Sequence, residues 1–259
     1  VDAFLRDLTG HFGFPRLDLP AAEVEAAVRG AAPATTADAV RAVFAAYAAH
    51  HGKTRFGDKT AMYVMNIPVL AELLPESRFV HIIRDGRSVA LAYLAREDMG
   101  PETIEEAALY WRLNVETGRR AGRALGPDRY REVRYEDIVD DPEAALRSLC
   151  RFLELEFDPA MLRFQERAAS AVAGSAHPEY HTSIAKPVTK GLRDWRTQMP
   201  ADDVAIFEAL AGPTLSAFGY ERRHPSPSPA LRLRALRART GSELRRLAHR
   251  VRGRLKAGR

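Results

Sequence analysis

Residues 77 to 97 read "SRFVHIIRDGRSVALAYLARE". Five apolar or aromatic positions, Phe79 to Ile83, run directly into Arg84-Asp85-Gly86-Arg87-Ser88, and a helical pattern follows from Val89. A strand that turns into a helix aims free backbone N–H groups at one point, and such a point attracts anions, phosphate above all. Arg84 stands at the carboxyl end of the strand, where open α/β sheets bind their ligands. Its guanidinium can grip a phosphate with two parallel hydrogen bonds, and Gly86 allows close backbone approach. Taken alone, the same residues also fit a solvated turn in which Arg84 pairs with Asp85.

Three further segments have the same character. "RFGDKTAMYV" ends an extended piece in Asp58-Lys59-Thr60, and a lysine there can act as a point charge on a transferring anionic group. "RYREVRYEDIVDDPEAAL" ends a strand in Arg134-Tyr135-Glu136-Asp137, where Tyr135 can contact a base. "HTSIAKPVTKGLRDWRTQMP" sets Lys186, Lys190, Arg193 and Arg196 around Gly191 and Trp195, a composition suited to a lid over phosphate. Each segment also has a plain reading: a surface lysine, a tyrosine packed on a sheet, a basic loop.

The elements that must position these residues follow from periodicity. Residues 21 to 51 carry two helical patterns, the second with Thr36 or Asp38 as its N-terminal cap. "NIPVLAELLPES" is a helix with Pro68 in its first turn. The strand 79–83 precedes a helix from about 87 to 96. A long helix over "PETIEEAALYWRLNVETGRRAGRAL" ends at Gly126-Pro127, and "RYREVRY" is a strand. "DPEAALRSLCRFLELEF" is a helix capped by Asp141 with Pro142 at its first position, and "DPAMLRFQERA" repeats that start. Residues 171 to 200 read as irregular, and "ADDVAIFEALAGPTLSAFGY" returns to helix. Strands separated by helices predict an α/β fold, a parallel sheet flanked by helices.

Composition bounds the rest. The chain has 259 residues, 46% hydrophobic and 28% charged, ample for one sizeable core. Its single cysteine, Cys150, excludes an internal disulfide framework and a cysteine-based zinc site, and its helical context predicts a core thiol. No apolar run reaches transmembrane length and no signal peptide is visible, so a cytoplasmic protein is expected. The net charge of +5 hides an asymmetry: residues 222 to 259 hold 13 Lys/Arg against one acid, Glu243, and the remainder is acidic overall. We therefore expect one domain over residues 1–223, a Pro/Ser linker over 224–229, and a basic amphipathic helix over 230–259 with Leu244, Leu247, Ala248, Val251 and Leu255 on one face. That tail contains no aromatic residue for base stacking, so no specific nucleic acid is expected. Its apolar face can pack on the body, on a second copy, or on an anionic membrane surface.

In order and spacing, "FGDKTAMYVMNIPVLAELLPESRFVHIIRDGRSVALAYL", "YREVRYEDIVDDPEAALRSLCRFLEL" and "KPVTKGLRDWR" together resemble the sulfotransferases that use 3′-phosphoadenosine-5′-phosphosulfate. The resemblance spans roughly residues 53 to 222. It is closest to the bacterial type related to carbohydrate and tyrosylprotein sulfotransferases. It implies a P-loop-like sulfotransferase fold and transfer of a sulfuryl group, without a metal, to a hydroxyl or amine of a small-molecule or carbohydrate acceptor. It implies that Arg84 binds the donor's 3′-phosphate, that Lys190 and Gly191 contact phosphate, and that Tyr135 lies near the adenine. Lys59 would approach the sulfuryl group, and Trp195 would anchor the lid. The family usually has a serine eight residues after the arginine; here that position is Ala92, and Ser88 is the substitute one turn earlier. His81, His181 and Asp58 are the titratable residues near the expected site, with His81 read as a core histidine. The family's opening strand and its Gly/Ser/Thr loop for the 5′-phosphosulfate have no counterpart in the sequence. Either that loop precedes Val1, which the Met-less, helix-like start favours, or the protein is an inactive nucleotide-binding or interaction relative.

Overall fold

The computed structural model describes residues 1–17, 19–95, 100–166, 168, 189–191 and 193–241. They fall into two compact units. One comprises Val1–Ser77 with Arg163–Pro187, the other Arg78–Leu162 with Val188–Arg259.

The first unit is helical among its described residues: α1 Asp2–Thr9, α2 Ala21–Gly30, α3 Thr36–His50 and α4 Ile67–Leu73. Its core is small and aliphatic, built from Leu5, Val24, Val28, Ala39 and Val43. The cap of α3 is Thr35, where Thr36 or Asp38 was expected. Its hydroxyl accepts from the Asp38 amide, and the Asp38 carboxylate accepts from the Thr35 amide in return. This reciprocal pairing selects Thr35 because its backbone is extended and Asp38 falls three residues on. Pro68 lies in the first turn of α4, where its missing N–H costs nothing.

The second unit holds the sheet. β1 (Phe79–Ile83) and β2 (Tyr130–Arg134) run parallel, with Phe79 opposite Tyr130 and Ile83 opposite Arg134. Their connection contains α5 (Gly86–Leu94) and α6 (Ile104–Arg123). After β2 come α7 (Tyr135–Asp140) and α8 (Pro142–Leu153), the latter capped by Asp141 as its sequence predicts. Glu154 ends α8 in the left-handed conformation, four residues before "DPAMLRFQERA". That stretch opens as a 3-10 turn over Pro159–Arg163 instead of a full helix. α9 (Trp195–Gln198), α10 (Ala201–Ala217) and a final helix α11 over 229–241 complete the unit.

One core joins these elements. Ile83, Ala90, Ala108, Trp111, Val115, Phe207, Leu210 and Leu215 all lie in it. α10 is largely apolar, and Val204–Phe207, Leu210, Ala211 and Leu215 bury it in that core. Cys150 is buried 3.8 Å from the Met161 sulfur, a core thiol. The described part of the basic tail packs on the same core through Leu231, Ala235 and Ala238, while Arg234 pairs with Glu105 and Arg239 donates to the carbonyls of Ala209 and Leu210. Leu244, Leu247, Ala248, Val251 and Leu255 lie outside the described residues. No described helix is long and apolar enough to cross a membrane.

Candidate functional site

The ends of β1 and β2 hold the candidate site. The register sets Ile83 beside Arg134, so the next residues on the two strands, Arg84 and Tyr135, are neighbours. The Arg84 guanidinium lies over the Tyr135 ring, 4.8 Å from its centroid. Two residues predicted separately for a phosphate and a base thus meet. The Arg84 carbonyl accepts from the Trp111 indole N–H at 3.1 Å, which ties this backbone to the middle of α6.

The mouth of α5 differs from the expected phosphate cradle. Asp85 is the cap, and its carboxylate takes the Arg87 amide at 3.0 Å. The Asp85 amide is taken by Glu136 at 2.9 Å. The other oxygen of Glu136 lies 2.7 Å from the Tyr220 hydroxyl, which also lies 3.1 Å from the Ile83 carbonyl. Burial, then Glu136, pushes the Tyr220 phenol well above its ordinary value. Two amides at the strand-to-helix turn therefore already serve the protein's own carboxylates.

Gly86 has a different reason from the one expected. A Cβ there would stand 2.5 Å from a Trp111 ring carbon and 2.6 Å from Phe207 Cζ. The glycine lets two aromatic rings close on the first turn of α5. Ser88 lies in that same turn and is buried. Ala92 is one turn further on and partly exposed.

Lys190 pairs with Asp140 at 2.8 Å, at the opposite end of α7 from Tyr135. Gly191 has φ +76, the left-handed region that favours glycine. Arg193 also has positive φ, at +54. Trp195 is buried, its ring 3.5 Å from the Arg87 guanidinium. Lys59 belongs to the first unit, on an exposed stretch without regular structure, and Asp58 beside it accepts from the Thr60 hydroxyl at 3.1 Å. Lys186 and His181 lie outside the described residues. His81, expected in the core, is half-buried: its Nδ1 is 2.7 Å from the Tyr130 hydroxyl, and burial with Arg119 nearby lowers its pKa to about 4. A group held neutral in that way and locked to a tyrosine is a poor general base at neutral pH.

Sequence reasoning missed the buried supports. Arg87 is fully buried between Asp85 and Glu208. The signal for Glu208 was present as one acid inside the apolar run "VAIFEALAG". A cleft of about 440 Å³ lies beside β2, lined by Arg119, Arg131, Arg134 and Phe218 among others; neither Arg84 nor Tyr135 lines it. Among the described residues no cluster of His, Cys, Asp and Glu is placed to hold a metal ion.

Residues 6–159 match the model of the sulfotransferase family. The chain belongs to that family. Among curated proteins it is 26% identical over 182 residues to a protein-tyrosine sulfotransferase of Drosophila melanogaster, which is 67% of this chain and 36% of that protein. It is 27% identical over 192 residues to an omega-hydroxy-beta-dihydromenaquinone-9 sulfotransferase of Mycobacterium bovis, covering 66% of this chain and 42% of that protein. The chain thus spans less than half the length of either relative. Among solved structures, a sulfotransferase domain from the curacin biosynthetic pathway superposes with a TM-score of 0.51 at 20% identity, covering 77% of this chain and 78% of that one. That likeness establishes the sulfotransferase α/β fold. In this member of the family the arginine after β1 and the tyrosine after β2 are two predicted site residues that the fold brings into contact.

Proposed function

We propose that this sulfotransferase transfers a sulfuryl group from 3′-phosphoadenosine-5′-phosphosulfate to an acceptor hydroxyl, and that the described residues supply the grip on the donor's nucleotide. The observation that carries the reading is the Arg84–Tyr135 pair at the carboxyl ends of adjacent parallel strands. A guanidinium beside an aromatic ring suits a phosphate next to a purine: the cation meets the anion, and the ring offers a face to the base. Lys190, exposed at the far end of α7, adds a second cation for the donor's phosphates.

In the reaction, the acceptor oxygen forms a bond to sulfur as the bond from sulfur to the 5′-phosphate oxygen breaks. The products are a sulfate ester, adenosine 3′,5′-bisphosphate and the proton released by the hydroxyl. Charge spreads over the sulfuryl oxygens as the bonds exchange, so positioning and fixed cations lower the barrier. Both curated relatives are named for hydroxyl acceptors, a phenol in one and an omega-hydroxyl in the other. That favours a hydroxyl over an amine here.

The test is calorimetric titration with adenosine 3′,5′-bisphosphate and with adenosine 5′-phosphate, followed by turnover of the sulfuryl donor over phenols, sugars and aliphatic alcohols. The bisphosphate is expected to bind at least about tenfold more tightly, and Arg84→Ala to abolish the difference, since a charge-assisted phosphate contact contributes roughly 1.5–3 kcal/mol. Equal affinities in the unmutated protein would overturn the reading.

A further inference from the structure

Among the described residues, Arg87 is the largest fully buried side chain. Its Nε and Nη2 donate to the two oxygens of Asp85 at 3.0 and 2.7 Å, and its Nη1 donates to Glu208 Oε1. The face of the guanidinium lies on Trp195, whose ring also has Arg196 and Arg223 at 4.9 Å. Glu208 in turn accepts the Arg223 amide at 3.0 Å and the His224 amide at 2.6 Å. One side chain therefore ties together three stretches distant in sequence: the turn that carries Arg84, the helix start that follows Lys190 and Gly191, and the segment entering the tail.

A buried ion pair is a weak device for stability, because desolvating the charges offsets their attraction; what it fixes well is geometry. The planar fork of arginine adds to this, since two N–H bonds to one carboxylate and a stacked face leave little freedom of rotation. Asp85 is the residue next to Arg84 and also the cap of α5. A shift of Arg87 moves that cap, and with it the backbone from which Arg84 projects. Trp195 carries the same shift toward Lys190, five residues earlier.

We propose that Arg87, held by Glu208 and stacked on Trp195, is a positioning residue that sets Arg84 and the Lys190–Trp195 segment in register for the donor's 3′-phosphate. This rests on the reading of Arg84 as the ligand of that phosphate. Arg87 itself is fully buried and acts through Asp85 and Trp195.

The experiment compares binding of adenosine 3′,5′-bisphosphate and of adenosine 5′-phosphate in the full chain, with the melting temperature of every variant measured alongside. Glu208→Gln keeps the shape of the side chain but weakens its hold on Arg87. Trp195→Phe keeps an aromatic face of smaller area. Both are expected to leave adenosine 5′-phosphate affinity within about twofold and to cut the preference for the bisphosphate by about tenfold, the size of one charge-assisted contact. Arg87→Lys, which keeps the charge but not the fork, should fail to preserve the preference. A merely structural role would lower the melting temperature and leave the preference intact in protein that remains folded, and that result overturns the proposal. Should Glu208→Gln not fold, the milder Trp195→Phe decides. An unmutated protein without any preference overturns the donor reading itself, so the two failures are told apart.

Discussion

The Arg84 guanidinium rests on the face of Tyr135, 4.8 Å from the ring centroid, and this contact is a consequence of strand register. Parallel pairing of Ile83 with Arg134 makes the following residues neighbours, and a slip of one residue would turn Tyr135 to the other side of the sheet. The ring restricts where the cation can go. The first prediction concerns the ring. Tyr135→Phe should retain affinity for adenosine 3′,5′-bisphosphate within about twofold. Tyr135→Leu should lose about threefold to tenfold, because a partly exposed cation–π contact contributes roughly 0.5–1 kcal/mol and any stacking on the base is lost with it. Equal loss in both variants would assign the role to the hydroxyl.

Gly86 supports the same site from below. A methyl group there would meet Trp111 and Phe207 at distances no Cβ tolerates. Trp111 holds the Arg84 carbonyl, so its displacement reaches the site. Gly86→Ala should destabilise the protein by about 1–3 kcal/mol in urea unfolding, the usual cost of overpacking, and should weaken bisphosphate binding. A neutral effect on both would mean that the two rings have room to retreat.

These two positions show what the sequence makes legible. The strand before Arg84, the strand before Tyr135 and the Asp141-Pro142 helix start could be read directly, because periodicity and capping are local. The meeting of Arg84 with Tyr135 needs the sheet register, yet each residue alone was identifiable from its place after a strand. The reason for Gly86 was not legible, since it depends on Phe207, more than a hundred residues away. Arg87 was visible as a second arginine, but a buried arginine and an exposed one look the same until Asp85, Glu208 and Trp195 are seen around it. The cap at Thr35 instead of Thr36 was within reach, since the spacing from Thr35 to Asp38 is that of a reciprocal capping pair.

Lys190 offers a test of how the loop cation is held. Its partner Asp140 and Lys190 itself are both about two-thirds exposed, at 67% and 66%. Such a pair contributes little to stability, about 0–1 kcal/mol, and is easily exchanged for another anion. Asp140→Asn should leave the urea midpoint nearly unchanged and should keep or raise bisphosphate affinity by freeing the ammonium. Lys190→Ala should lower that affinity several-fold and flatten its dependence on salt, measured by titration between about 50 and 200 mM chloride. A salt dependence equal to that of the unmutated protein would remove Lys190 from the donor site.

His81 links the sheet to pH. Its imidazole, half-buried on β1, lies beside Tyr130 of β2, with Nδ1 2.7 Å from the phenol oxygen. Burial, and secondarily the charge of Arg119, lowers its pKa from 6.5 to about 4. Protons therefore bind the unfolded chain first as pH falls. The stabilisation from neutral His81 is complete above pH 6.5 and is lost progressively between about 6.5 and 4, at roughly 1.4 kcal/mol per pH unit. Asparagine places an amide near Nδ1 and cannot titrate, so His81→Asn isolates this contribution from the carboxylates that also protonate toward the acid end. Urea unfolding at pH 7.5 and at pH 4.5 should show the unmutated protein losing about 2 kcal/mol more than the variant across that interval. Since β1 carries Arg84 at its end, bisphosphate affinity should hold down to about pH 5 and fall only as the strand loosens. Equal pH dependence in the two proteins would show that His81 is protonated in the fold without cost, and the hydrogen bond to Tyr130 would then have to be made by the charged ring.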